Sequence, residues 1–93
     1  MTIRFHTNPD GEPHVHDHGV DEEEVLQALS QPLEQIAGRD DSTILIGRTT
    51  AGRVLKVIFT DARDGDGIFI ITAFDLPPKQ LKALRRRLKR RRS

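Results

Sequence analysis

No cysteine, no tryptophan and no tyrosine occur among the 93 residues, and phenylalanine occurs only four times. The first absence excludes disulfides, thiolate zinc sites, iron–sulfur clusters and cysteine nucleophiles, and it suits a reducing compartment. The shortage of aromatics argues against a stacking platform for single-stranded nucleic acid. No run approaches the roughly 18 apolar residues of a membrane span, and the opening Met-Thr-Ile-Arg-Phe-His does not read as a signal peptide. A chain of this length holds one small core and not two. These absences predict a single soluble domain over residues 1–93, cytoplasmic and without a membrane partner.

The charge is unevenly placed. Residues 1–80 hold seven Lys or Arg against fourteen Asp or Glu, a net −7, whereas residues 81–93 hold eight basic residues and no acid. The formal total of +1 thus hides an acidic body and a basic tail. That asymmetry points to a polyanion or an acidic protein surface as partner, or to the tail folding onto its own body.

Local patterns place the elements. Ile3 and Phe5 alternate with Arg4 and His6 as in a short edge strand, closed by the turn Asn8-Pro9-Asp10-Gly11. Glu12 to His18 reads as two helical turns with Pro13 in the first turn and Gly19 at the left-handed end. Asp21 with Glu24 forms a capping box, and Val20 with Val25 a hydrophobic staple, for a helix from Glu22 to about Ser30 that Pro32 ends. Three runs rich in Ile, Val, Phe and Thr follow as strands: Thr43 to Thr49, Arg53 to Thr60 and Ile68 to Phe74. Residues 35–39 offer a further strand. The loop Thr50-Ala51-Gly52 and the stretch Asp61 to Gly67 reverse the chain between the three strands. From about Pro78 a helix carries Leu81, Leu84 and Leu88 as one stripe among Lys and Arg.

The expected architecture is α+β: an antiparallel meander of three to four strands, two N-terminal helices and a basic C-terminal helix. Each strand run is apolar on both parities, Leu55, Val57 and Phe59 on one and Val54 and Ile58 on the other. Such a sheet is covered on both faces. The chain has too few helices for that, which calls for a second copy of itself or a partner protein over part of the sheet.

The phrases His18-Gly19-Val20-Asp21-Glu22-Glu23-Glu24-Val25, Ile46-Gly47-Arg48-Thr49, Gly52-Arg53-Val54-Leu55 and Ile71-Thr72-Ala73 stand in an order that resembles the BrnT-like toxins of the RelE/ParE superfamily, over roughly residues 3–75. The resemblance implies a small RelE-like domain, the toxin of a bacterial toxin–antitoxin pair, acting as a metal-independent endoribonuclease on free or ribosome-associated RNA and covered by an antitoxin. It implies no cofactor. Where the family carries an Arg after the last strand, this chain has Phe74 and Asp75.

Metal-free RNA cleavage needs a base for the 2′-OH, cations for the crowded phosphate and an acid for the leaving oxygen. Arg48, Arg53 and Lys56 supply cations across one hairpin, and the imidazole of His18 supplies the acid–base group. The plainer alternative pairs these cations with local carboxylates such as Asp40 and Asp61. His6, His14, His16 and His18 invite a metal reading, with a histidine-rich turn as the alternative. The terminal helix is the candidate nucleic-acid surface through Lys82, Arg85, Arg86, Arg87, Lys89 and Arg90, since adjacent cations release counterions from a polynucleotide. Its alternatives are a solvated tail or docking on Glu22 to Glu24. A non-catalytic binding module using this helix is the rival to the ribonuclease.

Overall fold

Asp21 starts the one α-helix of the N-terminal half. In the computed structural model, which describes residues 2–92 and of Arg92 the backbone alone, its Oδ1 accepts from the Glu24 N–H at 2.8 Å. Glu24 Oε1 in turn accepts from the Asp21 N–H at 3.2 Å. This reciprocal capping box opens α1 (Glu22–Ser30). Val20 and Val25 are both fully buried beside it, and Ala28 completes the buried stripe.

The segment before α1 differs from expectation. It is a five-residue 3-10 turn, His14–His18, not two turns of α-helix from Glu12. The cause is local: Pro13 is extended (φ −57°, ψ 133°) and bridges back to Thr7, so it cannot start a helix. Gly19 ends the turn in the left-handed region at φ 68°, and Val15 drops into the core.

The sheet corrects the expected architecture as well. It has five strands and is mixed, where an antiparallel meander of three or four was expected. Strands β1 (Ile3–Phe5), β2 (Pro32–Ala37), β3 (Thr43–Arg48), β4 (Val54–Asp61) and β5 (Ile68–Asp75) lie in the order β1-β5-β4-β3-β2. Neighbours from β2 to β5 are antiparallel, but β1 runs parallel to β5 in the register Ile3↔Ile68 and Phe5↔Ile70. The chain leaves β1, crosses one face as α1 and re-enters at the far edge as β2. That crossover sets the direction of β1, and it is a long-range outcome that alternation within three residues does not contain.

The two faces are covered unequally. Under α1 lie Leu55, Val57, Ile70 and Ala73, with Ile3, Phe5 and Phe59 packed around them. Helix and sheet touch so closely that a Cβ on Gly47 would collide with the Ala28 carbonyl. The opposite face receives α2 (Pro78–Arg92), whose Leu81, Leu84 and Leu88 pack with Ile46, Leu76, Leu33 and Val54. Ile44 and Ile58 of that face lie outside this cluster and are half-buried, and Ile36 on the edge strand β2 is 59 % exposed. No helix among the described residues is long and apolar enough to cross a membrane.

Candidate nucleic-acid interface

Helix α2 carries nine Lys and Arg and no acid. Its docking is fixed by one carboxylate, Glu34 on β2, whose side chain is only 11 % exposed. Arg87 forks onto it, Nε donating to Oε2 at 2.6 Å and Nη2 to Oε1 at 2.7 Å, and Arg91 Nη2 adds a third bond at 3.0 Å. The hydrogen bonds from Arg87, with the charges of Arg87 and Arg91, hold the Glu34 carboxyl below its ordinary value against the opposing effect of partial burial. The basic helix therefore docks on β2, not on Glu22 to Glu24.

Satisfying Glu34 leaves the other cations of the helix pointing elsewhere. Arg48, at the end of β3 and on the same sheet face as α2, lines a groove of about 630 Å³ with Arg85, Lys89 and Arg91 around a floor of Leu33 and Leu88. Among the described residues no carboxylate lines this groove. Among the described residues, Arg48, Lys82, Arg85, Arg86 and Lys89 are exposed and make no ion pair. Of the six residues expected on the nucleic-acid surface, Arg87 is instead occupied by Glu34, and Arg90 lies exposed on the helix with interactions of its own.

The expected catalytic set does not gather at one point. Arg53 is enclosed: Nε and Nη2 fork onto Asp75 at 2.6 and 3.0 Å, while Nη1 donates to both Glu24 oxygens at 3.0 Å and to the Gly19 carbonyl at 2.9 Å. The hydrogen bonds from Arg53 lower the Asp75 pKa, and those of Asp75 and Glu24 raise that of Arg53. Its carboxylates are thus Asp75 and Glu24 and not Asp40 or Asp61. Arg53 ties the β3–β4 hairpin to the α1 cap and to the end of β5, each of its three nitrogens already bonded within the fold. Arg48 sits in the α2 groove. Lys56 donates to Gln80 Oε1 at 3.2 Å and lies 6.0 Å from the Phe74 ring centroid. His18 meets the same ring at 5.7 Å.

His18 belongs to a row of rings that the chain's spacing did not announce. Phe69, His6, His14, His18 and Phe74 follow one another with centroids 6.2, 5.7, 5.2 and 5.7 Å apart. The row forms because β1 pairs only with Ile68 to Ile70, His6 continuing by donating its N–H to the Ile70 carbonyl, so the 3-10 turn packs on β5 beyond it. The clustered histidines were the one signal of it in the chain, although imidazoles in a cluster point first to a metal. Among the described residues no three His, Asp or Glu side chains converge as metal ligands do. His14 Nδ1 instead sits 3.0 Å from Asn8 Oδ1, and His16 turns away to Glu22, Nε2 to Oε1 at 2.7 Å. That bond raises the His16 pKa, helped by the charges of Glu22 and Glu12.

No protein-family model, no curated protein and no solved structure matches the chain.

Proposed function

We propose that this chain is a nucleic-acid-binding module that grips phosphates with α2 and Arg48. The observation that carries this reading is the α2 groove, where Arg48, Arg85 and Lys89 converge from two elements with no carboxylate of the described residues among them. Glu34 engages Arg87 and Arg91 on one side of the helix, while Lys82, Arg85, Arg86 and Lys89 stay exposed. Cations already paired internally release no counterions on binding, whereas unpaired ones do. Five such side chains contacting phosphates give a log–log salt slope of about −3.5 on a single strand and about −4.5 on a duplex. The test is titration of labelled RNA and DNA into the protein at low and moderate salt. Binding that weakens steeply with salt supports the module, and absence of binding at low salt refutes it.

A second reading, the BrnT-like toxin acting as a metal-independent ribonuclease, draws support from His18 and Lys56, which meet the same Phe74 ring. In that reading an imidazole and an ammonium serve the phosphate together, Arg53 acts through the fold, and an antitoxin or a second copy covers the open part of the sheet. Incubation of EDTA-treated protein with end-labelled RNA, alone and with ribosomes, decides it. Cuts ending in 2′,3′-cyclic phosphate support the toxin, and intact RNA leaves the binding module.

A further inference from the structure

The ring row begins beside the first turn of α2. Lys56 bridges the two regions, its ammonium bonded to Gln80 of α2 and held over Phe74, the first ring of the row. At the other end, Phe69 and Ile71 floor a cleft of about 480 Å³ that Arg4 and Arg63 also line. Arg4 is shared with Asp64 at 3.3 Å, Arg63 makes no ion pair among the described residues, and Asp61 stands on the same rim. Lys56 thus stands at one end of the rings and Arg4 and Arg63 at the other, where Asp61 and Asp64 accompany them, and Asp17 lies 3.4 Å from His14 Nδ1 between the two ends.

The rings themselves suit bases. Their planes are inclined to one another by 56° to 82°, so no two are stacked face to face. All five are exposed or half-buried. From Phe69 to Phe74 β5 advances about 16 Å, and sheets that recognise single strands use such faces to stack two or three bases. Two Phe and three His supply the flat surfaces that Trp and Tyr would otherwise provide.

We infer that the nucleic acid held by α2 is single-stranded and continues over Lys56 onto this row, its bases stacking on Phe74 and Phe69 and its phosphates meeting Lys56 and Arg63. This inference rests on the nucleic-acid reading above. A duplex keeps its base faces inside its own stack and gains nothing from the rings.

The chain has no tryptophan, so Phe74→Trp installs a single reporter in the row. A short labelled single strand is expected to bind tighter than the duplex of the same sequence and to quench that tryptophan, while the duplex leaves it unchanged. Phe69→Ala is expected to weaken single-strand binding by about 5- to 150-fold, the range measured for losing one stacked base, with duplex binding unaltered. Equal binding of both forms, with tryptophan emission unmoved when the single strand is bound, overturns the ring row and leaves the α2 contact standing. Failure to bind either form overturns both.

Discussion

Arg53 Nε lies 2.6 Å from Asp75 Oδ1, and Nη2 lies 3.0 Å from Oδ2, so the tip of one hairpin is forked onto the end of the last strand. The same guanidinium reaches Glu24, itself half of the α1 capping box. One side chain therefore joins three elements that are distant in sequence. Arg53→Ala is expected to destabilise the fold by about 2 kcal/mol, because it leaves the half-buried Glu24 without its cation. Asp75→Asn costs less, about 0 to 1 kcal/mol, since Asp75 is 62 % exposed. Arg53→Lys does not restore the loss, as an ammonium lacks the fork. Urea unfolding midpoints check all three, and an Arg53→Ala variant as stable as the parent would contradict this role.

Gly47→Ala probes the contact between α1 and the sheet. The added Cβ meets the Ala28 carbonyl, a backbone atom that moves only if the whole helix moves. A loss of about 1 to 3 kcal/mol is expected, as for overpacked cores. Gly65→Ala serves as a control: a Cβ there has nothing within 4 Å, and the cost comes only from its φ of 77°. Thermal melts of the two variants separate collision from backbone strain.

Acid stability follows from Glu34 and Asp75, whose pKa values are lowered in the folded chain by their arginines. A group with a depressed folded pKa contributes stability above its unfolded pKa and loses it as pH falls through the folded value. The contribution is complete above about pH 4.5 and disappears on acidification below it. Glu34→Gln is expected to flatten this acid dependence and to loosen α2 at neutral pH. His16 acts in the opposite sense: its raised pKa favours the fold below about pH 6.5, an effect lost as pH rises through the folded value. Unfolding midpoints of parent and Glu34→Gln from about pH 3 to 6 test the assignment, and parallel curves would contradict it.

Local chemistry is readable from the chain wherever neighbours in sequence decide the outcome. The Asp21–Glu24 pair locates α1, the Leu81, Leu84 and Leu88 stripe locates α2, and the runs of β-branched residues locate β3, β4 and β5 to within a residue or two at each end. Pairings over long separations are not readable. The direction of β1 depends on where α1 delivers the chain, and the carboxylate partners of Arg53 lie 22 and 29 residues away. Charge counting marks α2 as cationic without revealing that Glu34, 53 residues from Arg87, removes part of that charge from any interface. The histidines stand out as a cluster, but their use as rings depends on Phe69 and Phe74, brought beside them only by the parallel pairing of β1 with β5.

The central claim is that Arg48, Arg85 and Lys89 carry nucleic-acid phosphates in one groove, and the most direct test compares salt slopes. Affinity for a labelled single strand is measured across a range of salt for the parent and for Arg48→Ala/Arg85→Ala/Lys89→Ala, with folding of both confirmed by circular dichroism. Removing these three cations should shorten the log–log slope by about 2 and weaken binding at low salt. An unchanged slope in the folded triple variant would contradict the claim.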